Sequence, residues 1–182
     1  MLLLGKTAII SGAASPRGIG LASARLFAAH GARVVILNID LNATHEACAS
    51  LGEDHIGLRC DVTDPVACQS ARDAVLERFG AIDILINNAG ITQPVETMDI
   101  DVGSWQRILD VNLKGVPLLS PAVIPHMKAR GKGLIACMSS VSAQRGGGIF
   151  GRPHHSAAKA GVLGLAKAMA RELGPAASAS TA

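Results

Sequence analysis

In the stretch "HSAAKAG" (155–161), His155 and Lys159 stand four residues apart, one turn of a helix. Imidazole titrates near ~6.5, which makes it a general acid or base around neutrality. A neighbouring ammonium lowers that value and keeps the ring neutral, with one donor and one acceptor. A second stretch, "SGAASPRGIG" (11–20), offers a different chemistry. Gly12 permits a tight turn, and Gly18 lets backbone N–H groups approach a pyrophosphate. Gly20, after Ile19, lets a helix pack close to a sheet. The pyrophosphate would sit on the positive end of that helix. Together the two stretches suggest a dinucleotide site and a proton-transfer group in one molecule.

Both stretches need a scaffold, and the chain alternates short apolar runs with longer helical patterns. Strands are expected at 7–11, 33–37, 56–60, 83–87 and 133–138, each a β-branched or aliphatic run suited to burial on both faces. Helices are expected at 18–30, 43–51, 65–79, 102–127 and 154–173. Asp64-Pro65 opens the third, with Asp as N-cap and Pro at the first helical position. This alternation is the signature of βαβ units: an α/β, doubly wound parallel sheet of about five strands in the order 3-2-1-4-5. Residues 1–174 read as a single Rossmann-like dinucleotide-binding domain, and "GPAASASTA" (174–182), with no strand signal, as a tail whose residues 175–182 fray.

Composition narrows the class further. The 182 residues are 49% hydrophobic and 17% charged, enough for a core and unlike a disordered chain. A net charge of +3 and no basic run give nucleic-acid binding little support. Cys48, Cys60, Cys68 and Cys137 form no C-x-x-C pair, so they read as reduced thiols of a cytoplasmic protein, without a metal site. No apolar run approaches the ~18–20 residues that span a bilayer, and the start "MLLLGK" is too short for a signal-peptide core.

Further motifs occur in a telling order: "CDVTD" (60–64), "NNAG" (87–90), "VNLKG" (111–115) and "MSS" (138–140), then "HSAAKAG". With the glycine stretch they cover nearly the whole chain, which resembles the short-chain dehydrogenase/reductase family. The resemblance implies hydride transfer between NAD(P)(H) and a secondary alcohol or ketone. Ser11 replaces the family threonine and keeps its hydroxyl, while Pro16 and Arg17 look like an insertion before Gly18. It implies that Asp61 and Val62 lie by the adenine, and that Asn88, Ala89 and Gly90 support the cofactor. Asn112 is the implied catalytic asparagine, which keeps a water in the proton relay, and Lys159 holds the nicotinamide ribose.

The family's catalytic tyrosine has no counterpart: the chain contains no tyrosine, and His155 stands at that position. Imidazole reaches less far than phenol, and a shortfall near ~1 Å costs on the order of 10²-fold in rate. The alternative is an inert polar residue at a helix start. Ser140 ends the fifth strand as the family serine should, whereas Ser142 has the usual spacing before the tyrosine position; Ser140 is favoured. Asn38 ends the second strand. Asp40 close by and no second arginine after Asn38 favour NAD, while Arg17 favours NADP.

Two further departures stand out. Pro117, Pro121 and Pro125 fall inside the fourth helical pattern, where each interior proline costs ~3 kcal/mol, so a kink or interruption is expected there. The family pattern also runs on past Ala182 through a lid, so the resemblance implies a chain shortened at its C-terminus. Two readings follow: an oxidoreductase of impaired activity, or a non-catalytic dinucleotide-binding or dimerisation module derived from the family. The resemblance also implies a homo-oligomer paired through the fourth and fifth helical patterns.

Overall fold

The computed structural model describes residues 1–148 and 152–178. Its sheet has five strands in the order β3-β2-β1-β4-β5, every neighbouring pair parallel. They are β1 (Thr7–Ser11), β2 (Arg33–Asn38), β3 (Ile56–Arg59), β4 (Ile84–Asn87) and β5 (Leu134–Cys137), each bound lying within one residue of the expected one. The helices are α1 (Ile19–Ala29), α2 (Leu41–Ala49), α3 (Pro65–Phe79), α4 (Val102–Leu109), α5 (Gly115–Ala129), α6 (Ser142–Arg145) and α7 (Pro153–Ser178).

Alternation along the strands builds a core on each face. Ile9, Val35, Leu37 and Leu85 point to the side of α3 and α5, where they meet Val75, Leu119 and Val123. Ala8, Ile10, Val34, Ile36 and Ile86 point to the side of α1 and α2, where they meet Leu21, Ala24 and Ala47. The central strands β1 and β4 are buried throughout, which explains their unbroken aliphatic runs. The Asp64 carboxylate accepts from Val66 N at 2.8 Å ahead of Pro65, and α3 stops at Gly80, whose φ of 71° suits glycine.

Three expectations need correction. The prolines do not break the fourth helical pattern: α5 runs through Pro121 and Pro125. All three prolines are exposed and, four residues apart, share one face of α5, away from its buried residues. The irregularity sits upstream, where a π-helical turn at Asp110–Lys114 joins α4 to α5. The continuous helical run Val102–Ala129, 28 residues, is also long and apolar enough by length and composition to cross a membrane. Here its α5 part is a core helix, with Leu119, Val123 and Met127 buried against the sheet and α3. Finally, α7 continues to Ser178, so the backbone of 175–178 is helical where fraying was expected; residues 179–182 lie outside the described residues.

Among the described residues β5 pairs with β4 alone, leaving its other edge open. An apolar groove of about 320 Å³ lies beside it, between Met127 of α5 and Met169 and Leu173 of α7.

Candidate functional site

The C-terminal ends of β1, β4 and β5 converge on one cavity of about 460 Å³. Its lining includes Ile19 from the start of α1, Gly90 after β4, Asn112 from the π-turn, Ser140 and Ser142 after β5, and His155 and Lys159 from α7. The site thus gathers residues more than 130 positions apart in the chain.

The turn after β1 is shaped by a lack of room. Gly12 has φ +65°, and a Cβ there would lie 2.6 Å from the Ala89 Cα. A Cβ on Gly20 would lie 2.6 Å from Asn88 Nδ2 and 2.8 Å from the Ala13 Cα, so α1 starts hard against its own turn and β4's end. Gly18 is the N-cap of α1 and places no side chain on the first N–H groups, and the first turn holds no acidic residue. That leaves backbone donors at the positive end of the helix. Arg17 is exposed in this loop, and Ile19, 66% exposed, reaches the cavity rim.

Ser11 and Asn88 lock this turn to β4. The Ser11 hydroxyl donates to Ile86 O at 3.4 Å and accepts from the backbone N–H groups of Asn88 and Ala89, each at 3.1 Å. The Asn88 amide donates to Ser11 O at 2.8 Å and Gly12 O at 3.2 Å. Asn88 therefore braces the glycine turn from behind, and the hydroxyl kept at position 11 is the group that makes this possible.

Elsewhere along the strand ends the side chains are already engaged. Asn38 Oδ1 accepts from Asp40 N at 3.1 Å. The Asp40 carboxylate caps α2 by accepting from Ala43 N at 3.0 Å, so its nearness in sequence translates into a helix-capping role. Asp61 is exposed and accepts from the Thr63 N–H and hydroxyl at 2.8 and 2.7 Å. Val62 is buried, close enough to Gly115 that a Cβ there would lie 2.8 Å from its side chain.

On the far side of the cavity, the π-turn carries Asn112, 1% exposed. Its amide nitrogen donates to Ile91 O and Ile108 O, both at 2.9 Å. Its Oδ1 has no hydrogen-bond partner among the described residues, and a Cβ on Gly90 would fall 2.7 Å from it. Lys159 Nζ donates to Met138 O at 2.8 Å, while Ser139 Oγ donates to the Lys159 carbonyl at 2.8 Å. Met138 and Ser139 lie in the "MSS" motif but were not marked as site residues: Met138 acts through its backbone carbonyl, which leaves no residue-type signal, and Ser139 through a hydroxyl that bonds the backbone of α7.

The two candidate serines are both present. Ser142 opens the short helix α6 and is 4% exposed; its Oγ lies 2.9 Å from Ser140 Oγ and 3.2 Å from His155 Nδ1. His155 is 7% exposed at the start of α7. Burial, then the Lys159 cation, then His154 push its pKa below the usual histidine range. Burial outranks the lysine, which the sequence had made the main cause. Burial also lowers the pKa of Lys159. His154 is fully buried, and neither of its ring nitrogens has a hydrogen-bond partner among the described residues. Ile149–Gly151 lie outside the described residues.

These features fit a dinucleotide: an uncapped helix start, two glycines with no space for a side chain, and a buried acceptor, Asn112 Oδ1, at the cavity wall. Comparison with known proteins agrees. The short chain dehydrogenase family model matches residues 6–177. An uncharacterized short-chain type dehydrogenase/reductase of Sinorhizobium fredii is 65% identical over 179 residues, covering 96% of this chain and 71% of that protein. The 3-oxoacyl-(acyl-carrier-protein) reductase of Escherichia coli is 38% identical over 169 residues, covering 93% of this chain and 68% of the reductase. The crystal structure of a 3-ketoacyl-(acyl-carrier-protein) reductase from Brucella melitensis, complexed with NADH, superposes with a TM-score of 0.90 at 34% identity, covering 96% of this chain and 73% of that one. Sheet order, turn chemistry and sequence thus agree over nearly all of the chain, which belongs to the short-chain dehydrogenase family.

Proposed function

We propose that this chain is an NAD-dependent oxidoreductase that interconverts a secondary alcohol and a ketone, with His155 as its proton-exchanging group. The observation that carries the reading is the shared cavity: Ile19 from the nucleotide turn lines the same 460 Å³ as Asn112, Ser140, His155 and Lys159. Both cores share one sheet, which supports treating residues 1–174 as one dinucleotide-binding unit.

The bound nicotinamide supplies or accepts a hydride; the chain's own residues position it and manage the proton. Gly12, Gly18, Ile19 and Gly20 hold the pyrophosphate on the N–H groups of α1. Asn38 would meet the adenine ribose, Asp61 and Val62 would lie by the adenine, and Asn88, Ala89 and Gly90 would support the cofactor. Asn38 is uncharged and adds no second cation to Arg17, so the reading is NAD over NADP; the Brucella reductase was crystallised with NADH. Lys159, whose Nζ donates to Met138 O, would hold the nicotinamide ribose. Ser140 donates to the substrate oxygen, and Asn112 holds water with its open Oδ1. The free thiols suit a reducing cytoplasm. Self-association is assigned to the outer faces of α4–α5 and α7, where Trp105 and Val102 are exposed.

The missing tyrosine favours a second reading, a dinucleotide-binding module without turnover. Calorimetric titration with NADH and NADPH, followed by NADH oxidation over a ketone panel, separates the two. Tighter NADH binding and a turnover lost in His155→Ala are expected. Binding with no turnover, restored by His155→Tyr, selects the module; no binding of either nucleotide defeats both.

A further inference from the structure

We propose that Ser142 is a positioning residue that joins His155 to Ser140, so that the two serines act in series and not as alternatives. The inference rests on the oxidoreductase reading above and deepens it at the same site.

With the Ser142 hydroxyl as donor to Ser140, a count of donors gives the order of the chain. Ser140 Oγ accepts from Ser142 N at 3.2 Å and from Ser142 Oγ at 2.9 Å, which fills its two acceptor positions and leaves its own O–H free for the cavity. Ser142 has one hydroxyl proton, given to Ser140, so its contact with His155 Nδ1 at 3.2 Å requires the ring to donate. All three groups then point one way: His155 Nδ1–H to Ser142, Ser142 to Ser140, Ser140 to the substrate. Ser142 and His155 are 4% and 7% exposed, so water does not compete easily along this path. The imidazole is too short to take a phenol's place directly; the intervening hydroxyl supplies the reach.

In the reductive direction the carbonyl carbon takes the hydride and the carbonyl oxygen takes the Ser140 proton. Ser140 is reprotonated by Ser142, and Ser142 by Nδ1 of a doubly protonated His155. The ring ends neutral with its proton on Nε2, so one proton passes from His155 to the alcohol. Oxidation runs the same bonds backwards from the Nε2–H tautomer: both hydroxyls turn round, Ser140 donates to Ser142, Ser142 donates to Nδ1, and the ring ends doubly protonated. Lys159 and His154 are the titratable groups acting on the ring, and both disfavour its cationic form.

A mutant cycle between Ser142 and His155 tests this, with a spectroscopic arm that needs no turnover. Ser142→Ala is expected to lower the reductive kcat about 10²-fold with KM nearly constant, while Ser142→Thr, which keeps the hydroxyl, retains activity within about tenfold of the parent. In a His155→Tyr background, where the phenol reaches Ser140 unaided, Ser142→Ala is expected to cost less than about threefold. Nitrogen-15 NMR of the His155 ring is expected to show the Nδ1-bound proton in the parent and its loss to the Nε2 tautomer in Ser142→Ala. Equal losses in both backgrounds, unchanged kcat in Ser142→Ala, or failure of the threonine would overturn the inference while leaving the oxidoreductase intact. NADH binding without parental turnover also overturns it. A parent that binds no nucleotide sinks the functional reading instead, and an NMR tautomer indifferent to Ser142→Ala then rejects the serine link independently.

Discussion

The strands β1 and β5 end beside the same cavity, yet the ends are held by different means. β1 is central and wholly buried, and its turn is set by backbone: Gly12 at positive φ, Gly20 with no room for a Cβ, and Ser11 bonded to three main-chain groups. β5 is an edge strand whose Leu134 is 54% exposed, and the residues after it are held through side chains, Ser139 on α7, Ser140 on Ser142, and Ser142 on His155. Backbone constraint admits one residue type. A side-chain network admits any residue that can make the bond, and it is there that a histidine has replaced the expected tyrosine.

If this contrast is right, the largest effect comes from the β1 turn. Gly12→Ala combines positive φ with a contact of 2.6 Å to main chain, and about 2–4 kcal/mol of stability should be lost together with nucleotide binding. Thermal melting and NADH titration read both; a fully stable, binding-competent variant would erase the distinction between the two ends. Next, His155→Tyr should leave stability nearly unchanged and raise reductive turnover about 10²-fold, since the site regains the longer reach. A parent already as fast as the tyrosine variant would show that the network needs no phenol.

The same histidine gives a pH signature. Because its pKa is depressed, the protonated ring that the proposed relay needs for reduction should disappear as pH rises through a value below ~6.5, while alcohol oxidation should gain. Steady-state rates in both directions between pH 5 and 8 should therefore run opposite ways (roughly tenfold per unit above the pKa for reduction). Stability follows a related rule. His55, His126 and His155 all have folded-state values lowered chiefly by burial, so the unfolded chain binds more protons, and stability falls as pH drops below about 6.5. Melting at pH 7.5 and 5.5 checks the sign. The smallest effect is Asp64→Ala, outside the cavity lining, which should cost about 1 kcal/mol by removing the α3 cap and leave nucleotide affinity nearly unchanged.

The scaffold was legible in the sequence because its signals are local: aliphatic runs, Asp64-Pro65, and glycines that obey steric rules. The parts that were not legible depend on what lies opposite a residue. The π-turn at Asp110–Lys114 has no compositional mark. Pro117, Pro121 and Pro125 read as breakers until their common exposed face is seen. Asp40 favoured NAD by its nearness in sequence to Asn38, and it caps α2. Ser140 and Ser142 looked like rivals because spacing cannot show that α6 folds one hydroxyl onto the other. His154 carries no motif, yet it is buried more completely than His155, and nothing in the structure explains its unpartnered ring.

The π-turn has one more consequence. It accommodates an extra residue within a helix that otherwise advances 100° per residue, and Asn112 donates to Ile91 and Ile108 from inside that widened loop. Deleting any one residue there would let the coil tighten into regular winding without breaking it. Everything upstream would then swivel by a quarter-turn or more, carrying Ile108 out of the interior and the amide off its two carbonyls. The protein would keep its helix and lose its aim.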